Sequence, residues 1–191
     1  MTAANTMNYY TDSWPLMVDI CPCDVHFTEF LEAKEINNAS VFHFGTGSHH
    51  HVGIRCAENG SNNAVLGITA SIEEEQAYVK LAIERPQLSR PYKCFFGDIY
   101  MLDARLLPEF DVVSLFHLCE FWGPESVAYG AMNDLELAEM FTDKLRPSGY
   151  LLFYTKSMAF EKAKPVIAAL RKSGGLKGVE EFKTLLVLQK A

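Results

Sequence analysis

The chain carries no run of lysines or arginines. Its 17 Lys and Arg are scattered among 24 Asp and Glu, for a formal net charge of -7. Affinity for a phosphate backbone comes mostly from basic side chains that displace counterions, so no nucleic-acid partner is expected. No apolar stretch approaches the roughly 18–20 residues that span a bilayer, and no membrane partner is expected. The first residues lack a basic stretch followed by an apolar one, the pattern of a secretory signal. Cysteine is sparse and odd in number. The five residues, Cys21, Cys23, Cys56, Cys94 and Cys119, have spacings that build no disulfide framework. Reduced thiols and a cytoplasmic location are the expectation. There is no internal repeat, and the one biased tract is His49-His50-His51.

What is present reads as globular. Of 191 residues, 49% are hydrophobic and 21% charged, enough for one domain around one substantial core. Residues 1–38 read as an N-terminal segment that would cover a pocket, and 39–191 as the main domain. A short helix is expected from about His26 to Ile36, with Phe27, Phe30 and Leu31 on its apolar side. Strands are expected at Ser40–Phe44, Ala64–Ile68, Tyr92–Phe96, Phe110–Phe116, Tyr150–Tyr154 and Leu185–Leu188, with a weak one at Val179–Phe182. Helices fall between them. One runs from the Gly45-Gly47 loop through Cys56, one follows Ser71, one covers Leu135–Leu145 and one starts near Phe160. Ser71 and Glu74 have the spacing of a reciprocal N-terminal cap. Strands alternating with helices imply a doubly wound, Rossmann-like α/β fold, with a mostly parallel sheet and helices on both faces. The last two strands are close enough for an antiparallel hairpin, which the pattern alone leaves open. An edge strand there would offer a route to a homo-oligomer.

The main constellation is Val41-Phe42-His43-Phe44-Gly45-Thr46-Gly47-Ser48-His49, where the first strand passes into the next helix. Glycines let the backbone turn sharply and approach a ligand. The helix start adds free N–H groups and a positive dipole end. Ligands of open α/β sheets sit beyond the carboxyl ends of the strands.

This loop resembles the first motif of the class I S-adenosylmethionine-dependent methyltransferases. Gly45 and Gly47 match its first two glycines. His43 stands at the place of its acidic residue, and His49 at its third glycine. The resemblance continues at Leu66-Gly67-Ile68-Thr69, where Thr69 replaces the acid that accepts from the ribose hydroxyls, and at Gly97-Asp98. By the resemblance, Asp98 would accept from the adenine amino group, and Ile99 and Tyr100 would lie against the ring. Phe110 to Glu120 and Leu145 to Leu152 resemble the fourth-strand motif and the turn before the fifth strand. The implied cofactor is S-adenosylmethionine, with His43, Gly45, Gly47, His49, Thr69, Asp98 and Ile99 at its site. The implied activity is methyl transfer to a small molecule.

His117 and Glu120 are the catalytic candidates. His117 follows the fourth strand and would accept a proton from the acceptor, or else simply bond to the Glu120 turn. Tyr9, Tyr10, Trp14, Phe121 and Trp122 would cover the pocket or serve as packing anchors. Two other readings stand beside catalysis. One is a noncatalytic partner protein, or a binder of a nucleotide-like ligand, on a degenerate methyltransferase fold. The other is a metalloenzyme holding a divalent metal with some of His49, His50, His51, His117 and Glu120. Cys21-Pro22-Cys23 with His26 is either a second metal candidate or a turn before the helix.

Overall fold

The computed structural model describes residues 9–191. In chain order the elements are α1 (Cys23–Ala33), β1 (Ser40–Phe44), α2 (His51–Glu58), β2 (Ala64–Thr69), α3 (Ile72–Glu84), β3 (Tyr92–Phe96), β4 (Phe110–Ser114), α4 (Asp134–Lys144), β5 (Leu145–Tyr154), α5 (Phe160–Lys172), β6 (Leu176–Phe182) and β7 (Leu185–Lys190). The seven strands form one sheet in the order β3-β2-β1-β4-β5-β7-β6. The first five pair in parallel. The last two form an antiparallel hairpin, with β7 inserted between β5 and β6. This is the doubly wound, mostly parallel sheet that the alternating pattern implies.

Alternation along the strands divides the core into two layers. Val41 points to the face covered by α1 and α2, where it meets Phe27, Leu31 and Val52. Its neighbour Phe42 points to the face covered by α4 and α5, among Phe110, Phe141 and Ile167. Both layers are apolar because parallel strands are covered on both sides. From β1 the sheet grows through β2 and β3 in one direction and through β4 and β5 in the other. The winding therefore reverses between β1 and β4, and a crevice opens there at the carboxyl ends.

Three local expectations need correction. Helix α1 starts at Cys23, three residues before the expected His26, directly after Pro22 at φ -80°. Proline's fixed φ suits a helix entry, so the turn and the helix start coincide. Strand β5 starts at Leu145, which pairs with Phe110. The stretch around Pro147 to Gly149 is an irregularity inside the strand, with Ser148 at φ 64°. Finally, Ser71 accepts from the Glu74 N–H at 3.4 Å, but the Glu74 carboxylate does not return the bond. It turns instead to Thr69 and Trp14. Among the described residues no helix is long and apolar enough to cross a membrane.

The ring centroids of Phe42 and Phe141 lie 4.2 Å apart, and both side chains are fully buried. Phe141→Ala is expected to cost about 3–5 kcal/mol in urea unfolding, whereas Ile83→Ala, at a position 74% exposed, is expected to stay within about 0.5 kcal/mol. Equal losses in the two variants would contradict this placement of the core.

Candidate functional site

The crevice is built on the loop that leaves β1. Gly45 has φ 86° and Gly47 φ 56°, backbone that side chains other than glycine's adopt at a cost. Space is also short. A Cβ on Gly45 would sit 2.7 Å from the His117 ring, and one on Gly47 would sit 2.8 Å from the Trp14 carbonyl. The segment before α1 crosses this loop as a strap. Its Ser48 contact is a backbone bond, with the Ser48 N–H donating to the Trp14 carbonyl at 3.0 Å. Tyr10 pairs with the chain after β2, donating to the Ala70 carbonyl at 2.9 Å and accepting from the Ile72 N–H at 3.0 Å. The Trp14 N–H donates to Glu74 at 3.3 Å.

Between strap and strand ends lies a cavity of about 240 Å³. Gly45, Gly47, His49, Thr69, Asp98, Ile99, His117 and Glu120 all line it, so eight of the nine site residues expected from the sequence come together. His43 does not join them on the wall. Its side chain is buried one layer below, between the rings of Phe27 and Phe116. Of the aromatic candidates, Tyr10, Trp14 and Phe121 line the cavity. Tyr9 stacks on Phe96, and Trp122 packs against the core.

Two carboxylates on the wall, Asp24 and Glu74, were not among the site residues expected from the sequence. Asp24, on the first turn of α1, is 4% exposed. It lies 3.5 Å from Nε2 of His43 and 3.7 Å from Nε2 of His49. Nδ1 of His43 is 2.8 Å from the Ser114 hydroxyl, while its Nε2 has no aligned hydrogen-bond partner among the described residues. Burial disfavours the Asp24 charge, but the neighbouring His43, His49 and His117 outweigh it and hold the carboxyl below its usual pKa. Glu74, on the first turn of α3, is equally buried and also on the wall. It accepts from the Thr69 hydroxyl at 2.6 Å. Here burial prevails and raises the pKa despite the Thr69 and Trp14 bonds. A signal for Asp24 was present in the sequence. Asp24, Phe27, Thr28 and Leu31 share one helical face, which places a carboxylate inside an apolar stripe.

Asp98 caps the turn that follows β3, accepting from the Tyr100 N–H at 2.9 Å, and its second oxygen accepts from the Tyr129 hydroxyl at 3.4 Å. Ile99 is buried beside it. On the opposite wall, Nδ1 of His117 is 3.0 Å from Glu120, whose other oxygen accepts from Ser157. Burial works against a charged His117, yet Glu120 and Asp24 raise its pKa overall. The same pairing, with the Ser157 bond, brings the Glu120 carboxyl below its ordinary value against the effect of burial. The sequence left open whether His117 faces an acceptor or bonds to Glu120. The structure places it on the cavity wall with its Nδ1 on Glu120.

The histidine tract splits. His49 faces the cavity, with its Nδ1 accepting from the His51 N–H at 3.1 Å. His50 is buried between the Tyr92 hydroxyl at 2.7 Å and the Glu74 carbonyl at 2.9 Å, and burial pushes its pKa down to about 4. His51 turns toward Thr28, 3.4 Å away. His26 meets Thr184 at 2.7 Å, away from Cys21 and Cys23. Among the described residues no group of three or more His, Cys, Asp and Glu side chains is placed to hold a metal ion. Successive residues at a helix start diverge, so adjacency in sequence did not become a shared site.

No family model and no curated protein matches the sequence. Solved structures match the fold. A methyltransferase from Pyrococcus furiosus superposes with a TM-score of 0.65 at 16% identity, over 97% of this chain and 88% of that one. The N-methyltransferase NodS from Bradyrhizobium japonicum WM9, in complex with S-adenosyl-L-homocysteine, gives 0.60 at 10% identity, over 91% and 90%. The cyclase SpnF gives 0.59 at 17% identity, over 91% and 66%. The chain shares the fold of these structures. At these identities the likeness is one of fold, and SpnF bears a different activity in its name.

The ion pair makes a direct prediction. Glu120→Gln removes the charge that favours protonated His117, so the His117 pKa is expected to fall in an NMR pH titration of the ring protons. An unchanged His117 titration would contradict the pairing.

Proposed function

We propose that the chain binds S-adenosylmethionine in this crevice and transfers its methyl group to a small-molecule acceptor. One observation carries the reading. Asp24 and Glu74 are buried carboxylates on the wall, beside His43 and Thr69. Those are the two strand-end positions at which the sequence resemblance calls for an acid and this chain has none. The acids come instead from α1 and α3.

The residues fit such a ligand. A carboxylate has about four acceptor sites, and Glu74 uses two of them, on the Thr69 hydroxyl and the Trp14 N–H. Acceptor capacity remains for ribose hydroxyls. The contacts of Asp24 to His43 and His49 are long, at 3.5 and 3.7 Å, which leaves it able to receive an ammonium group. Ile99 offers an apolar wall to an adenine ring, with Asp98 at its edge. Bound there, the cofactor supplies a methyl group already activated by its sulfonium. The chain's own work is then positioning, exclusion of water and proton handling. Nε2 of His117 would take the acceptor's proton while Glu120 holds the other ring nitrogen. Only neutral His117 can do this. With its pKa raised, the reaction gains as pH rises through that value.

The wall also limits the acceptor. No Lys or Arg lines the cavity among the described residues, whereas Asp24, Glu74, Asp98 and Glu120 do. An acceptor bearing a phosphate or carboxylate would find no lysine or arginine there, and His117 is already paired with Glu120. Trp14, Met17, Phe121 and Met158 offer apolar contact. The acceptor class is therefore a neutral or cationic small molecule with an apolar body.

Calorimetric titration with S-adenosylmethionine and S-adenosylhomocysteine tests the reading. Saturable one-site binding is expected for the unaltered chain. Glu74→Gln and Asp24→Asn are each expected to weaken it about tenfold or more, the loss of one charged hydrogen bond of roughly 1.5 kcal/mol. No binding by folded protein would overturn the proposal. Unaltered affinity in both variants would remove the two carboxylates from it.

A further inference from the structure

The Cys21-Pro22-Cys23 segment has a place in the cavity that methyl transfer does not use. Its two sulfurs are 3.5 Å apart, and both residues line the wall. A tight turn brings them together: the Cys21 N–H donates to the Met17 carbonyl at 2.7 Å, and Pro22 then leads into α1, with Cys23 as its first residue. Cys21 is partly exposed, whereas Cys23 is 4% exposed and has its sulfur 3.5 Å from an Asp24 oxygen. The other three cysteines, Cys56, Cys94 and Cys119, are all buried.

We propose that Cys21 and Cys23 form a reactive dithiol that exchanges with low-molecular-weight disulfides of the glutathione class, with Cys21 as nucleophile and Cys23 as resolving thiol. Position divides the roles, since the outer sulfur is the one an incoming disulfide meets. Electrostatics favours the same division. The Cys23 hydrogen bond holds the Cys21 thiol below its ordinary pKa against the effect of burial, helped by His117 and Tyr154, whereas the Cys23 thiol is raised. A thiolate is the attacking species in exchange.

In the first step the Cys21 thiolate attacks one sulfur of glutathione disulfide. That sulfur–sulfur bond breaks, a mixed disulfide forms at Cys21, and one glutathione thiolate leaves. In the second step Cys23 loses its proton to solvent and attacks the Cys21 sulfur. The mixed disulfide breaks and the second glutathione thiolate leaves. Two protein thiols are oxidised, one glutathione disulfide is reduced, and the leaving thiolates take up the released protons. The sulfurs must close in by roughly 1.5 Å to reach disulfide length, a short movement for a segment outside the sheet.

The test is intact-mass and peptide-mapping spectrometry of the full chain incubated with glutathione disulfide. The unaltered chain is expected to lose two hydrogens, with the cross-link mapped to Cys21 and Cys23. Cys23→Ser is expected to stop at one glutathionyl adduct on Cys21, and Cys21→Ser to react about tenfold more slowly or not at all. Mapping on the unaltered chain decides the matter even if a variant folds poorly. Modification at Cys56, Cys94 or Cys119 instead, or no modification while a free model thiol reacts, would overturn the proposal. The outcome is independent of whether S-adenosylmethionine binds.

Discussion

A buried carboxylate needs partners, and Asp24 finds them on two other elements. It is carried by α1, it lies against His43 of β1, and it lies against His49 of the loop after β1. An unpartnered charge at such depth is strongly unfavourable. The histidines therefore fix where α1 can sit on the sheet. Phe27 and Leu31, on the same helical face, complete the docking with apolar contact. Once α1 is seated, the strap before it must cross the glycine loop, and the backbone bonds of Tyr10 and Trp14 follow. The crevice thus has a sheet floor, a glycine-loop edge and an N-terminal roof.

The same logic applies to Glu74 on the other side. Thr69 ends β2, and five residues later the first turn of α3 brings a carboxylate back to its hydroxyl. The strand end and the helix start are joined through that contact, and the strap is held by the other Glu74 oxygen. Asp24 of α1 and Glu74 of α3 thus bring buried carboxylates beside His43 and Thr69. The cavity keeps an acidic wall although β1 and β2 contribute no acid to it.

The sheet was legible in the sequence because strands covered on both faces read as continuous apolar runs. Tyr150 to Tyr154 is such a run, Phe110 to Phe116 is one broken only by Asp111 and Ser114, and the glycines after β1 marked the crevice. Most of its wall could be read in the same way, from residues at strand ends. Asp24 and Glu74 were not placed there, because their position on the wall depends on how helices dock. Placing the helix start at His26 left Asp24 outside it. The Ser71 and Glu74 spacing showed that they are neighbours, and a neighbour three residues on can serve a cap or a strand end. The histidine tract depends on local backbone in the same way. The sequence left open a metal site using some of the three, and the left-handed backbone of His50, φ 47°, with the divergence of a helix start sends the rings to different surroundings.

The central claim is that acids moved to α1 and α3 serve a crevice built to hold an S-adenosyl group. A crystal structure of the chain with S-adenosylhomocysteine tests it most directly. The expected result is a ribose hydroxyl within hydrogen-bond distance of Glu74, the ligand's amino group at Asp24, and the adenine against Ile99. A ligand seated elsewhere, or in the crevice with no contact to Glu74 or Asp24, would contradict it.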